Sequence, residues 1–265
     1  MTRLAWVLPV VFATGCAARV FTPPTGPGEP FADAPQVWAQ VTERCRGAQR
    51  YVAQLRVQGW VGSRDQRIAQ TLNGAVTRTD DIYLELRILG STAFQMAGAA
   101  GQATFVMPRD ARGLHAPTRD IVAALTGLQW GGRELIDVLT GCVATPAAVV
   151  TGERLGPDLQ VAVAPGTTSW LRERDGRWQI RAARTDRLLI EYRLHDGGWP
   201  SSVRVTATGE APLDLQFSLS QIRINDVLDA GTFRLTVPDH YLPMTLDELR
   251  SIGPLRDGRM KDGSW

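Results

Sequence analysis

Cysteine thiols are the most reactive side chains in this sequence, and its three cysteines stand in two different settings. Cys16 ends the segment 13–16, Ala-Thr-Gly-Cys, directly after a short apolar stretch, whereas Cys45 and Cys142 lie well inside the chain. A thiol can be acylated, joined to a second thiol or bound to a metal. Which of these applies depends on the neighbouring residues and on the compartment in which the protein works.

Side chains that commonly perform acid–base catalysis are few and scattered. The histidines are His115, His195 and His240, and none belongs to a His-Glu-x-x-His segment. The sequence also has no Gly-x-Ser-x-Gly elbow and no glycine-rich phosphate loop between a strand and a helix. Adjacent carboxylates such as Asp80 and Asp81 stand in turns, where they are typical of capping. We therefore predict a protein that is not an enzyme and that has no metal site and no cofactor.

The first sixteen residues have the layout of a secretory signal. Arg3 is the only charged residue before Cys16, and residues 4–12 are apolar apart from Pro9. This stretch is too short to span a bilayer, which takes about 20 apolar residues. Its ending resembles the bacterial lipobox, in which the cysteine is acylated before cleavage. We predict that residues 1–15 are a lipoprotein signal peptide and that Cys16 carries lipid. A leader with a chance cysteine is the alternative.

A lipid on Cys16 would anchor the protein to a membrane without spanning it. The next residue is Ala17 rather than aspartate, which by resemblance to bacterial lipoproteins implies the periplasmic face of the outer membrane. Residues 16–32 are rich in proline and glycine, which excludes a helix or a central strand. We predict a semi-extended tether that could reach about 50 Å from the membrane, at roughly 3 Å per residue.

Cys45 and Cys142 remain once the anchor is set aside. Exported proteins meet an oxidising compartment, so these two thiols are a candidate disulfide. Closing a loop of roughly 100 residues would stabilise the fold by about 4–5 kcal/mol at most. Two buried free thiols are the alternative. A zinc site is disfavoured because neither cysteine has a nearby histidine or Cys-x-x-Cys spacing.

Charged residues are nearly balanced, with 29 Lys+Arg against 27 Asp+Glu. No run of basic residues is longer than two, so the sequence predicts no nucleic-acid partner. A chain of 265 residues can bury a full core as one large β domain or as two smaller domains. We also expect a monomer.

Hydrophobic periodicity divides the rest of the chain into a few helices and many strands. The predicted helices cover residues 34–50, 118–125, 132–139 and 246–250. Alternation with a period of two predicts antiparallel strands between them and up to about residue 236. The parity of the apolar face changes between Leu219 and Ile222, which predicts a β-bulge.

Ten or eleven strands with one apolar face need helices to cover that face. We therefore predict a mainly β fold with α: a strongly curved antiparallel sheet, or incomplete β-barrel, of about 11 strands with an N-terminal helix and inserted lid helices. The candidate cavity-lining residues are Leu84, Leu86, Ile190, Tyr192, Leu215 and Phe217. Alternation does not distinguish a lipid cavity from a filled core.

Three short segments carry a resemblance to a known family. They are Leu-Gly-Ser-Thr at 89–92 and Leu-Thr-Gly at both 125–127 and 139–141. With the order of predicted elements around them, residues 33–251 resemble the LolA/LolB-like lipoprotein carriers and outer-membrane receptors. The resemblance implies an incomplete barrel of about eleven strands with a helical lid over an apolar cavity. Residues 252–265 form a tail beyond the usual end of that family.

The same resemblance implies a function and a role for one residue. Receptors of this family take the acyl chains of lipoproteins from a periplasmic carrier and pass them to the outer membrane. A leucine on the loop of the Leu-Gly-Ser-Thr segment serves this handover, and Leu89 is the matching position here. The alternative is that Leu89 is only the last core residue of its strand. Ile88 replaces the proline that the family has before this segment.

Two functions are therefore expected. The first is an outer-membrane-anchored, non-catalytic lipoprotein that binds acyl chains of lipoproteins or lipids in an apolar cavity and passes them to the membrane. Its partners would be those acyl chains and a periplasmic carrier protein. The alternative is a structural or interaction lipoprotein of envelope assembly that uses the curved sheet as a docking surface.

Overall fold

The structure is a computed structural model. It describes residues 21–62, 67–143, 148–163, 166–185, 187–194, 198–209 and 211–256. The predicted lipidation site Cys16 and the histidine at position 195 lie outside the described residues.

Strands make up most of the described chain. They are β1 (Glu29–Pro30), β2 (Arg50–Val61), β3 (Arg67–Thr77), β4 (Ile82–Ile88), β5 (Ser91–Ala99), β6 (Gln102–Met107), β7 (Arg112–Pro117), β8 (Val149–Leu155), β9 (Asp158–Val163), β10 (Thr167–Arg174), β11 (Arg177–Arg184), β12 (Leu188–Leu194), β13 (Pro200–Ala207), β14 (Leu213–Ile224) and β15 (Leu242–Pro243). The helices are α1 (Ala34–Gly47), α2 (Thr118–Thr126), α3 (Gly132–Thr140) and α4 (Leu246–Ile252).

Within the described residues the strands form one open sheet of 15 strands. Their order is β1-β8-β9-β10-β11-β12-β13-β14-β2-β3-β4-β5-β6-β7-β15. Pairing is antiparallel except between β15 and β7. The prediction of a mainly β fold with a large, open, curved sheet is confirmed. The predicted count of about eleven strands is too low; two of the strands that it misses, β1 and β15, have only two residues each and show no alternation.

Helices cover one side of the sheet, which we call the inner face. Helix α1 packs on β8, β9 and β11, α3 packs on β3 and β13, and α2 packs on β6, β7 and α4. Apolar side chains of the inner face and of the helices join in a single core. The sheet therefore places its alternating apolar residues against the helices, as the period of two requires.

The predicted helices are present, with some differences at their ends. Helix α1 ends at Gly47 rather than at residue 50, because Arg50 already pairs with Thr77 in the sheet. Asp33 stands at the N-cap of α1 but makes no side-chain capping hydrogen bond. Helix α2 is followed by Gly127 at a φ of 76°, a conformation that ends a helix readily only at glycine.

The predicted bulge is present in β14. The register of β14 against β2 shifts between Ser220 and Arg223. Gln221 has a φ of 53°, so one residue is left out of the ladder. This shift explains why the core-facing apolar residues of β14 fall at odd positions up to Leu219 and at even positions from Ile222.

The opposite, outer face of the sheet is polar. Arg172 donates two hydrogen bonds to Asp158, at 2.8 and 2.7 Å, from one strand to the next. Arg204 does the same with Asp214, also at 2.8 and 2.7 Å. In each pair the guanidinium contacts both oxygens of the carboxylate, which compensates the charges of these outward-facing residues.

The segment predicted as a free tether is docked on the outer face from Phe21 onward. Phe21 is 7% exposed, and its backbone N–H donates to Glu191 Oε1 at 2.9 Å. Glu191 alternates with the buried residues Ile190 and Tyr192 and therefore points outward. The neighbours of the Phe21 ring are Trp170, Ala182 and Leu189. Phe21 is therefore held against the sheet, whereas the reach of residues 16–32 from a membrane stays a prediction.

Both edges of the sheet end in a two-residue strand that contains proline. Pro30 lies in β1, which pairs with β8, and Pro243 lies in β15, which pairs with β7. Proline cannot donate a backbone hydrogen bond, so it discourages addition of a further strand. Among the described helices, none is both long and apolar enough to cross a bilayer.

Candidate functional site

The inner face and the helices enclose a small apolar void. Its volume is about 40 Å³. The lining residues are Tyr51, Leu55, Val57, Leu72, Gly74, Val76, Leu84, Phe94, Val122, Leu125, Thr126, Leu128, Trp130, Leu135, Leu139, Phe217 and Leu255. The lining carries no ionisable acid or base apart from one tyrosine, so the interior is suited to hydrocarbon and not to a charged group.

Strand alternation and helix periodicity together place these side chains. Leu84 on β4 and Phe217 on β14 point inward because each occupies one of the alternating positions of its strand that are buried. Leu135 and Leu139 are four residues apart on α3 and so lie on one face of that helix. The void is thus bounded by sheet on one side and by helix on the other.

Two of the six predicted cavity-lining residues lie on this void, namely Leu84 and Phe217. The other four are buried in the same core without lining the void: Leu86, Ile190, Tyr192 and Leu215. Ile190 and Tyr192 belong to strand β12, and α1 fills the inner face over the β8–β11 part of the sheet. Alternation identifies which parity is buried, but it does not show where the helices leave space.

Several lining residues were not predicted as such. Tyr51 begins a strand, and Leu255 lies in the segment predicted as a tail. Leu128 and Trp130 lie between helices α2 and α3 and are buried in the core. A buried leucine and tryptophan between two glycine-ended helices are a recognisable signal for a lid, whereas nothing local in the sequence marks Leu255.

Two larger clefts lie outside the void and share its walls. A cleft of about 800 Å³ contains Leu128 and Trp130 in its lining, beside Arg187 and Leu213. A second cleft of about 390 Å³ shares Leu125 and Leu255 with the void. Four apolar side chains therefore separate the closed interior from open space on its two sides.

The void is too small for a lipid as it stands. Its 40 Å³ is enough for only a few water molecules, each of which takes up about 10–15 Å³ on this measure. Sites for drug-sized ligands enclose roughly 300–1,000 Å³. An acyl chain can enter only if part of the helical cover moves away from the sheet.

Helix α3 is firmly tied to the rest of the fold. Cys45 and Cys142 form a disulfide with an S–S distance of 2.06 Å, so the alternative of two free thiols does not hold. Arg78 Nη1 donates to Asp137 Oδ1 at 2.6 Å, and Arg78 Nε donates to the Ala48 carbonyl at 2.7 Å. Burial raises the pKa of Asp137, while the Arg78 guanidinium acts in the opposite direction.

Helix α2 and the loop after it have weaker ties. Arg119 of α2 pairs with Glu134 of α3 at the surface. The loop runs from Gly127 to Gly131 and presents only Leu128 and Trp130 to the core. Gly127 has a φ of 76°, which glycine adopts most readily, whereas Gly131 has an ordinary extended backbone. Helix α2 is held by packing on β6, β7 and α4 and by the Arg119–Glu134 ion pair, whereas α3 also has the disulfide and the Arg78 contacts.

Two buried tyrosine hydroxyls have no hydrogen-bond partner among the described residues, those of Tyr51 and Tyr192. Burial raises the pKa of both hydroxyls, and the charge of Asp137 adds to the rise at Tyr192. Both hydroxyls therefore stay protonated at physiological pH and are donors without an acceptor in the described part of the chain. Only Tyr51 lines the void.

Leu89 lies at the tip of the β4–β5 hairpin and is 97% exposed. The alternative of a core residue at the end of its strand therefore does not hold. Leu89 and Gly90 form the two-residue connection between the paired residues Ile88 and Ser91. Their φ angles are 50° and 82°, as the tightest hairpin turns require. A leucine in this position is unusual, because side chains with a Cβ are strained there.

The polar residues considered for catalysis are dispersed in the structure. His115 Nδ1 lies 3.1 Å from the Thr104 hydroxyl, and His240 packs edge-on against Tyr241. Asp80 accepts a hydrogen bond from the backbone N–H of Arg133 in the first turn of α3, which is a capping role. Within the described ranges, no three His, Cys, Asp or Glu side chains are grouped so that they could hold a metal ion.

Comparison with known proteins gives matches in structure but not in sequence. No family model and no curated protein matches the chain. A LolA superfamily protein from Nitrosomonas europaea is similar with a TM-score of 0.49 at 8% identity, covering 75% of this chain and 96% of that one. A DUF1329 family protein from Desulfovibrio piger has a TM-score of 0.46 at 11% identity, covering 78% and 98%. The lipoprotein LppX from Mycobacterium tuberculosis has a TM-score of 0.32 at 10% identity, covering 74% and 98%.

Proposed function

We propose that this protein is a non-catalytic, lipid-anchored protein that binds acyl chains of lipids or lipoproteins between its sheet and its helices and passes them to a membrane. The observation that carries the proposal is the apolar interior with its thin wall. Among the described residues, Leu128 and Trp130 line both the void and the 800 Å³ cleft on one side. A core that only stabilises the fold would not need an open cleft separated from it by so few side chains.

Binding requires a movement, which the proposal assigns to the loop between α2 and α3. Rotation about Gly127 and Gly131 would carry Leu128 and Trp130 away from the void and join it to the cleft. Helix α3 would stay in place because the Cys45–Cys142 disulfide and the Arg78–Asp137 ion pair hold it. The opened space would have to reach the roughly 300 Å³ or more that ligand sites occupy.

The proposed location rests on the N-terminal segment, and the proposed handover rests on Leu89. In the proposal, residues 1–15 are removed as a signal peptide, and Cys16 carries the lipid that holds the protein at the periplasmic face of the outer membrane. Residues 16–32 link this anchor to the LolB-like domain of residues 33–251, which the tail 252–265 follows. Leu89, exposed on its hairpin, would touch the bilayer when cargo from a periplasmic carrier is released.

Recovery of bound lipid tests the proposal. The chain from residue 16 onward, with Cys16→Ser so that it carries no lipid of its own, is purified and extracted, and the extract is analysed by mass spectrometry. We expect acyl lipid in molar proportion to the protein. Recovery of no lipid, together with no binding of added palmitic acid, would contradict the proposal.

A matched pair of variants locates the site. Leu84 and Leu86 are buried on the same face of β4, but only Leu84 lines the void. Leu84→Gln should lower the affinity of the folded protein for palmitic acid at least tenfold, because a polar amide would face the chain. Leu86→Gln should cost comparable stability and leave that affinity unchanged. Equal losses in the two variants would place the ligand elsewhere.

A structural or interaction protein of envelope assembly is the second candidate. The small size of the void favours it, since 40 Å³ is close to a filled core. Cross-linking in cells would then capture one protein partner on the outer face of the sheet, and no lipid would be extracted from the purified protein.

A further inference from the structure

One end of the sheet carries three exposed apolar side chains from two separate elements. Leu89 is 97% exposed, Leu242 is 66% exposed and Ile88 is 38% exposed. Strand β15 brings Leu242 to this end, because the Leu242 backbone N–H donates to the carbonyl of Ala111 at 2.8 Å. Strands β6 and β7 lie between the β4–β5 hairpin with Leu89 and β15 with Leu242, so these side chains are exposed at two points along one end of the sheet.

Two arginines lie directly beside the most exposed of these residues. Arg87 Nη2 donates to the Gly90 carbonyl at 2.7 Å, and Arg109 Nη2 donates to the Ile88 carbonyl at 3.2 Å. The two guanidinium groups thus lie against the peptide groups on either side of Leu89. Each guanidinium has five N–H donors, so most of them stay available to an external acceptor.

Carboxylates close to these arginines leave the end of the sheet without a large net charge. Arg87 lies 3.6 Å from Glu85, and Asp110 follows Arg109 in the chain. An external anion would therefore be held by the directed N–H groups of the guanidinium rather than by a general positive field. Phosphate is the group whose geometry matches that fork.

The clefts beside the void open at this same end. Ile68 lines the smaller cleft and lies near the start of β3. Strand β3 is antiparallel to β4, so its start adjoins the point where β4 ends and the hairpin with Leu89 begins. A lipid leaving the interior through this cleft would emerge beside the three exposed apolar residues.

Phe21, the first residue that the structure describes, also lies against the sheet. Phe21 is fixed on β12 next to Leu189, which pairs with Thr206 near the end of β13. Strand β13 ends where β14 begins, and β14 begins opposite the end of β2, at the end of the sheet that carries the clefts. Cys16 is five residues before Phe21 in the sequence, and five residues can span at most about 18 Å.

We propose that this end of the sheet is a docking face for a phospholipid bilayer, in which Arg87 and Arg109 bind headgroup phosphates while Leu89 and Leu242 enter the acyl region. The inference deepens the proposed function, because it states how the open end is held against the membrane that receives the lipid. The short chain between Phe21 and Cys16 would hold the domain in that orientation.

Vesicle binding tests this inference on the chain from residue 16 onward with Cys16→Ser, which leaves every described residue in place. The vesicles contain phosphatidylethanolamine and phosphatidylglycerol. We expect Arg87→Gln and Arg109→Gln each to weaken binding about fivefold. Leu242→Ser should weaken it as well, since its side chain would no longer enter the acyl region. Matched controls at the opposite end of the sheet, Arg50→Gln and the 85% exposed Val227→Ser, should leave binding unchanged.

Several results would overturn the inference. One is binding that Arg109→Gln and Arg87→Gln leave intact; another is an equal loss in Arg50→Gln, which would indicate general charge attraction. A third is competition by inorganic phosphate with no effect of Leu242→Ser, which would indicate a site for free phosphate. If a glutamine variant fails to fold, salt titration of the unsubstituted protein serves instead, and binding that salt does not weaken would contradict the proposal.

The same variants separate this inference from the proposed function. Extraction and mass spectrometry report acyl-chain binding independently of vesicle binding. Variants that still carry lipid and still bind vesicles would refute the docking face alone. An unsubstituted protein that binds vesicles but never carries lipid would refute the proposed function alone.

Discussion

Leu89 occupies a backbone conformation in which leucine is strained. Its φ of 50° falls in the left-handed region, where a Cβ costs roughly 1–2 kcal/mol. The side chain makes no compensating burial, since it is almost fully exposed. Strain at an exposed position indicates that the leucine serves a contact outside the molecule, which agrees with its proposed role at the membrane.

Replacing this leucine separates stability from membrane contact. Leu89→Asn creates an Asn-Gly pair, which is the most favourable sequence for a turn with two positive φ angles. We expect the free energy of unfolding to rise by about 0.5–1 kcal/mol in urea titrations, while vesicle binding falls. A loss of stability would show that Leu89 has a structural role and would contradict the handover.

Tyr51 presents an unpaired hydroxyl to the apolar void. An unsatisfied buried hydroxyl costs about 1–3 kcal/mol, so we expect Tyr51→Phe to raise the free energy of unfolding by about 1 kcal/mol. Urea unfolding of the lipid-free protein measures this. Tyr192→Phe is the matched comparison, because its hydroxyl is also unpaired but lies away from the void. A decrease in Tyr51→Phe would indicate a buried water bound to this hydroxyl.

Residues of this kind mark the limit of what the sequence predicts. The buried parity of Leu84 and Phe217 can be predicted, because alternation is local. The exposure of Leu89 is not decided by the sequence, because leucine is unusual in a turn with positive φ angles and a core position is the alternative. The docking of Phe21 and the burial of Leu255 cannot be predicted, because each depends on strands that are distant in the sequence. Cavity residues are predicted least well, since space arises where helices fail to fill a sheet.

At the level of elements, the disulfide connects helix α1 to the end of α3 across 97 residues. The double variant Cys45→Ala/Cys142→Ala should lower the free energy of unfolding by about 4 kcal/mol, because the unfolded chain gains the freedom that the closed loop removes. Urea titration of the two proteins measures the difference. A change below about 1 kcal/mol would mean that the two helices are held without this bond.

Helix α4 is held to β7 by a single well-defined ion pair. Arg112 donates to Glu248 at 2.8 Å, and this contact, with the Thr245 hydrogen bonds, lowers the pKa of Glu248 from 4.5 to about 2. A carboxyl with a depressed pKa stabilises the folded state above its ordinary pKa. That contribution is lost as the pH falls from about 4.5 towards 2.

The variant Glu248→Gln isolates this effect. The unsubstituted protein should have the higher urea midpoint at pH 7, and the difference should vanish as the pH approaches 2. Asp247→Asn is the control, because its exposed carboxylate pairs with Arg250 at the surface. A difference between the proteins that stays constant over this pH range would assign the role of Glu248 to packing rather than to its charge.

For the molecule as a whole, the sequence predicts the class of fold better than its size. Alternation over long strands such as β4 and the glycine-ended helices α2 and α3 are local signals, and they place the helices and most strands. The number of strands is underestimated, because the edge strands at Pro30 and Pro243 form only by pairing with distant parts of the chain. The same long-range pairing of strands determines at which end of the sheet the two clefts lie.

The proline-containing edge strands predict whether the protein associates with itself. Because β1 and β15 end the sheet with proline-containing segments, addition of a strand from a second copy is disfavoured. We expect the lipid-free protein to sediment as one species of monomer mass over a wide range of concentration. A dimer that dissociates on dilution would show that another surface, such as the end with Leu89 and Leu242, pairs with itself.

The pairing of β14 with β2 has a consequence for how the chain folds. It joins Val57 to Phe217 at the middle of the sheet, so the central ladder links the first long strand to the last one. Folds dominated by such distant contacts form slowly, on a scale of milliseconds to seconds. During synthesis β2 has no partner on this side until β14 has emerged. We expect a chain that ends before residue 213 to leave one edge of β2 and one edge of β13 unpaired, and to aggregate instead of folding.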